Sequence, residues 1–193
     1  MLYPDKNKRI YQDYAQKNNW GYTRTDKDYI IYETLKTSLF YKVADFKTNM
    51  IRKPYSVFNI LKSDTEIVCT ASVNGRASGL LPNYLIYHNN IELPKLFILS
   101  KENSLMSNTD INYYKDEFSE INTELSSDKH IVIVNSQDKE LFLPKISKIM
   151  PFFSEKYYLM IRNNKLVIYT FDKKIKFSEF IIDCQKIKND LSN

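Results

Sequence analysis

Three carboxylates lie close together in the sequence, at Asp116, Glu117 and Glu120. Paired carboxylates suit general acid–base chemistry, in which one group gives a proton and the other takes it. Neighbouring acidic residues on a polar segment are more commonly solvated, however. We therefore interpret these three residues as candidate partner-binding residues, and keep an enzyme that uses carboxylates of residues 101–140 as an alternative hypothesis.

The residue types that bind metals are few and widely spaced. The two histidines, His88 and His130, lie in or beside strand-like runs, and the two cysteines are Cys69 and Cys184. A zinc site needs three or four ligands, and neither C-x-x-C nor H-E-x-x-H occurs. We expect no metal and no cofactor, structural or surface histidines, and buried free thiols.

One nucleophile motif is present, because Ser136 and Lys139 match the S-x-x-K pattern of penicillin-binding proteins. Ser126 and Lys129 match it as well, and the K-T-G and S-D-N partner motifs are missing. Two matches are what chance gives in a chain so rich in Ser and Lys. We therefore assign no catalytic residue.

A short glycine-containing segment runs from Gly75 to Gly79. A phosphate-binding loop leads into a helix, whereas Leu80-Leu81-Pro82 and a strand-like run follow here. The segment is therefore typical of a hairpin tip. Loop tips often carry binding residues, which makes Arg76 and Ser78 candidate partner-binding residues.

Charge is unevenly distributed along the chain, which has a formal net charge of +5. Residues 101–140 hold nine acidic and four basic residues, whereas residues 1–53 and 141–193 are both basic. An acidic segment favours a protein partner with a basic patch. A nucleic-acid-binding protein is a further alternative that we disfavour, because the lysines are scattered and arginine is rare.

A hydrophobic core must position the candidate binding residues. The chain has 193 residues and 43% hydrophobic content, which suit one domain over 1–193, with possible sub-units 1–100 and 101–193. β-branched and aromatic runs predict strands at Ser38–Phe46, Tyr55–Leu61, Glu66–Val73, Tyr84–His88, Leu96–Ser100, His130–Asn135, Tyr157–Arg162 and Lys165–Phe171. The order predicts an α+β fold: an antiparallel meander, then a β-α-β-β-α unit, with the N-terminal and C-terminal helices packed on the sheet.

Helices are predicted at the chain start and in its last third. Residues 5–18 form the first, with Gly21 beside its C-cap and Trp20 anchoring it to the core. Ser136 and Ser178 are expected to cap the later two helices. Pro144 should kink the middle helix or start another.

Two hairpin turns are predicted, at Asn74-Gly75 and at Asn163-Asn164. The apolar stripes of strands and helices predict a core. Its members are Ile131, Val132, Ile133, Val134, Ile146, Ile149, Phe153, Leu166, Ile168, Phe180, Ile181, Cys184 and Ile187.

The longest stretch without a charged residue, Ala77–Ile91, is 15 residues long, and the N-terminus has no leader-like apolar segment. A membrane-spanning helix needs about 20 apolar residues. We expect a soluble, cytoplasmic protein, associated with a membrane only through an absent or separate segment.

Several short sequence motifs occur in the same order as in one group of bacterial proteins: Asn19-Trp20-Gly21-Tyr22, Phe58-Asn59-Ile60-Leu61, Leu93–Leu99, Phe118-Ser119, His130–Ile146 and Tyr158–Tyr169. In this pattern the chain resembles an uncharacterised bacterial domain family, whose members often follow membrane helices and have no established reaction. The resemblance implies no catalytic residue. Together with the composition, it predicts a non-catalytic bacterial domain that binds a macromolecule, most simply a protein of unknown identity; oligomeric state stays open.

Overall fold

The computed structural model describes residues 7–25, 56–73, 83–100, 118–153, 157–170 and 172–193. Strand Ser38–Phe46, the Asn74-Gly75 turn and the loop with Arg76 and Ser78 lie outside these ranges, as do Asp116 and Glu117.

The described chain forms an α+β fold built on one antiparallel sheet, as predicted. Its strands are β1 (Gly21–Thr25), β2 (Ser56–Lys62), β3 (Glu66–Val73), β4 (Tyr84–Asn89), β5 (Leu96–Ser100), β6 (Ile121–Asn122), β7 (His130–Asn135), β8 (Tyr158–Arg162) and β9 (Lys165–Thr170). Their spatial order is β1-β2-β3-β4-β9-β8-β5-β7-β6. Because β9 and β8 insert between β4 and β5, strands from both halves of the chain interleave, and β1 and β6 form the two edges.

Three helices accompany the sheet in the described ranges: α1 (Lys8–Lys17), α2 (Lys139–Ile149) and α3 (Phe177–Ser192). α1 contacts β1 and β2, whereas α2 and α3 contact each other. The apolar stripes of α2 and α3 join the side chains of one sheet face in a single buried cluster.

Twelve of the thirteen predicted core residues are buried, and Ile131 is half-buried. In the described sheet, β6 pairs with β7 only at Asn135 and Val134. Ile131 lies near the start of β7, beyond the end of this short edge strand, where Val132 and Ile133 are nevertheless fully buried.

The expectation that Gly21 lies beside the C-cap of α1 is not met, because the C-cap is Asn18. The left-handed residue is Asn19, with φ of 57°, and Gly21 begins β1. The Trp20 N–H donates to the Ala15 carbonyl over 2.8 Å and the Asn19 N–H to the Gln16 carbonyl over 3.3 Å, the two bonds of a Schellman motif. Trp20 then packs on the core and meets the Tyr14 ring edge-on at 5.6 Å, which confirms its anchoring role.

The two predicted serine caps are wrong. Ser136 lies in a 3₁₀ turn before α2, which begins at Lys139 and continues through Pro144 without starting another helix. α3 begins at Phe177, and Lys176 precedes it without a side-chain capping bond, so Ser178 lies inside the first turn. Burial of Phe177 against the rings of Tyr11 and Tyr14, at 5.0 and 5.2 Å, explains this earlier start.

The Asn163-Asn164 turn between β8 and β9 is confirmed. Both residues have left-handed backbones, with φ of 51° and 58°, and Arg162 pairs with Lys165 across the turn. Two consecutive left-handed residues characterise a type I′ turn, whose twist suits a tight hairpin.

Candidate functional site

Of the five candidate partner-binding residues, Glu120 alone lies within the described ranges. It is exposed and directly precedes edge strand β6. Its backbone carbonyl accepts a hydrogen bond of 3.0 Å from the Ser136 N–H. The structure therefore places Glu120 at the surface, at the junction of β6, β7 and the start of α2.

Side-chain hydrogen bonds hold this junction on both sides. Asn135 Oδ1 accepts from the Ser119 N–H at 3.0 Å and from the Ser119 hydroxyl at 3.2 Å, while Asn135 Nδ2 donates to Asp138 Oδ2 at 3.3 Å. On the other side of β6, Ser126 Oγ accepts from the Val132 N–H at 2.9 Å. Hydrogen bonds from Ser119, Ser126 and Asn135 thus hold the segments before and after β6 against β7.

We call the exposed carboxylates of this region the acidic edge; its members are Glu120, Glu124, Asp128 and Glu140. Lys139 forms an ion pair with Glu124. This contact lowers the pKa of the Glu124 carboxyl and raises the pKa of the Lys139 ammonium, chiefly through their hydrogen bond. The exposed Lys129 is adjacent to Asp128, but residues 118–140 hold five acidic and two basic residues, so the region keeps a negative surface that can meet a basic patch.

A second group of charges lies between the sheet and α3, where sequence reasoning had not placed one. Glu66 on β3 and His88 on β4 are register partners, and Lys188 reaches them from α3. His88 Nδ1 lies 2.9 Å from Glu66 Oε1, and Lys188 Nζ lies 3.0 Å from the same oxygen. The side chain of His88 is fully buried, whereas 14% of Glu66 and 29% of Lys188 is exposed.

These contacts fix the protonation of Glu66. They lower its pKa from the ordinary value of 4.5 to about 2, chiefly through the hydrogen bond with His88, although burial opposes the shift. An ionised carboxylate can only accept hydrogen bonds, so Nδ1 of His88 is the donor. Burial, together with the Glu66 charge, also raises the pKa of the Tyr14 hydroxyl on α1.

A carboxylate-bound imidazole resembles the base of many hydrolases, and in the described structure Nε2 of His88 has no hydrogen-bond partner. The fully buried ring is nevertheless out of reach of a substrate. What the geometry does directly is join α3 to β3 and β4. The one sequence signal for the contact between Glu66 and His88 was strand pairing, since the predicted strands Glu66–Val73 and Tyr84–His88 place these two residues at strand ends.

Both cysteines are buried and free, as expected. Burial raises the pKa of the Cys69 thiol to about 12, and burial raises that of Cys184 well above its ordinary value. Because the thiolate is the nucleophile, these thiols are poorly reactive.

Within the described ranges, no group of three or more His, Cys, Asp and Glu residues is arranged to hold a metal ion. No helix there has the length and apolarity needed to cross a bilayer. Comparison of the chain with models of protein families, with curated proteins and with solved structures finds no match.

Proposed function

We propose that this chain is a non-catalytic, cytoplasmic bacterial protein-interaction domain that binds a basic protein surface at its acidic edge. The observation that carries the proposal is the exposure of Glu120, Asp128 and Glu140 on a hydrogen-bonded junction of strands and helix.

The fixed backbone supports binding because a preformed surface loses little conformational entropy when it meets a partner. The carboxylates support a basic partner because complementary charge speeds diffusional encounter. Surface charges are screened over about 8 Å at physiological salt, so the attraction acts at short range and weakens as salt rises.

Affinity capture from the native host tests the proposal when wild type is compared with two charge variants. E120Q/D128N removes two carboxylates from the acidic edge. Q185K/N189K changes the net charge equally, but at exposed positions of α3. We expect at least one protein to be retained by wild type and by Q185K/N189K, lost with E120Q/D128N, and released by about 0.5 M salt.

The captured protein is then purified, and its association and dissociation rates are measured. E120Q/D128N should slow association more than it changes dissociation, since exposed charges act chiefly on encounter. Capture that is identical for wild type and E120Q/D128N would contradict the proposal.

A further inference from the structure

The order of strands in the sheet determines where the acidic and basic segments of the chain lie relative to each other. The acidic edge lies at β6, whereas α1 covers β1 and β2 at the opposite edge. We call the exposed cations of α1 the basic end; its members are Lys8, Arg9 and Lys17. The two charged surfaces thus belong to opposite edges of one sheet.

The way α1 packs explains why its cations face outward. Tyr11 and Ala15 are buried four residues apart, on the face directed at the sheet. Lys8, Arg9 and Lys17 are exposed, and Asp13 is the one acidic residue of the helix.

The acidic edge and the basic end do not neutralise each other within one molecule. Strands in a sheet are spaced by about 4.8 Å, so the edges of nine strands are separated by roughly 40 Å along the sheet. Because the sheet is twisted, its edges lie closer in space than this path, but even a third of the path would exceed the screening length of about 8 Å at physiological salt. No ion pair of the described structure joins the two surfaces.

We propose that a second copy of this chain is the partner, and that its basic end docks on the acidic edge of the first. This inference rests on the proposed function, because it names the occupant of the same acidic edge. Contact between two different surfaces leaves one of each unoccupied, so further copies add in the same way. The net charge of +5 on each copy opposes the attraction. Because charged side chains carry the contact, the association weakens as the salt concentration rises.

Sedimentation velocity of the purified full chain tests the inference. At about 20 mM salt, the mean sedimentation coefficient of wild type should rise across a hundredfold concentration range. At about 1 M salt, where the screening length is about 3 Å, it should stay at the monomer value. A wild-type protein that is monomeric throughout at low salt would overturn the inference.

Two charge reversals test which surfaces meet. E120K/D128K makes both surfaces basic, and K8E/R9E makes both acidic; the second change also suits the first turn of α1, where acidic residues favour the helix. We expect each variant alone to be monomeric at low salt, their mixture to associate, and Q185K/N189K to associate like wild type. A mixture that stays monomeric, or a loss of association in Q185K/N189K, would refute the pairing. Unchanged circular dichroism and melting temperatures establish that the variants fold.

Failure of this inference and failure of the proposed function give different results. If wild type is monomeric while capture of another protein still depends on Glu120 and Asp128, the second copy is wrong and the protein-binding function stands. If neither capture nor self-association depends on those two residues, both proposals are refuted.

Discussion

Glu66 and His88 face each other across β3 and β4, and Nδ1 of His88 lies 2.9 Å from Oε1 of Glu66. Because Lys188 donates to the same oxygen over 3.0 Å, a single carboxylate oxygen joins the last helix to two strands. A partly buried charge with two partners stabilises the fold only while all three groups are present. The stability of α3 against the sheet therefore depends on Glu66.

Replacement of Glu66 by Gln should lower the free energy of unfolding by about 1–3 kcal/mol, since it leaves a buried imidazole and a half-buried ammonium without their anion. Urea unfolding followed by circular dichroism measures the change. Glu92→Gln, at an exposed position, is the matched control and should change stability by less than about 0.5 kcal/mol. Equal effects of the two substitutions would contradict the role assigned to Glu66.

The stabilising effect of Glu66 should also depend on pH. Its pKa is about 2 in the folded chain, below the ordinary value of 4.5. The group therefore contributes stability that is fully present above pH 4.5 and is lost as pH falls from 4.5 towards 2. Urea unfolding at several pH values should show the difference between wild type and E66Q shrinking over this range. A difference that is constant between pH 6 and pH 3 would contradict the pKa shift.

Ile133→Ala should destabilise the protein by about 2–5 kcal/mol, because the side chain of Ile133 is fully buried on β7. Ile182→Ala is the matched control, since 51% of Ile182 is exposed on α3. Its effect should stay below about 0.5 kcal/mol. Thermal and urea unfolding of the two variants measure the contrast. Similar losses of unfolding free energy would show that the side chain of Ile133 is not buried as described.

Nucleic acid should bind weakly. The acidic edge repels a polyanion, and arginine, which reads bases and phosphates best, is rare in the chain. Filter binding of mixed RNA and DNA at about 150 mM salt, near physiological ionic strength, should show no retention at sub-micromolar protein. Retention there would favour the nucleic-acid-binding alternative over a protein partner.

The site was predictable only in part. Glu120 could be singled out because it lies in an acidic, polar segment, and the structure places it at the surface. Arg76, Ser78, Asp116 and Glu117 lie outside the described residues, so their roles stay predictions. The resemblance to a bacterial domain family also stays a prediction.

The sequence by itself determined seven of the nine strands of the described sheet and most of the buried faces, but it predicted neither β1 nor β6. Runs such as Glu66–Val73, Leu96–Ser100 and His130–Asn135 carry strand preference residue by residue, and the structure has strands with those bounds. The turn at Asn163-Asn164 was equally local, because Asn tolerates the left-handed backbone that the turn requires. Core stripes were readable since helical and strand periods are fixed by backbone geometry.

Only the tertiary structure decided which strands are neighbours and which charges meet. The insertion of β9 and β8 between β4 and β5 sets the sheet order, and no local preference encodes pairing over such separations. The same pairing brings Glu66 to His88, and the packing of α3 adds Lys188, 122 residues from Glu66. The strand order also places the acidic edge and the basic end at opposite edges of the sheet, and their positions in the sequence do not determine that separation.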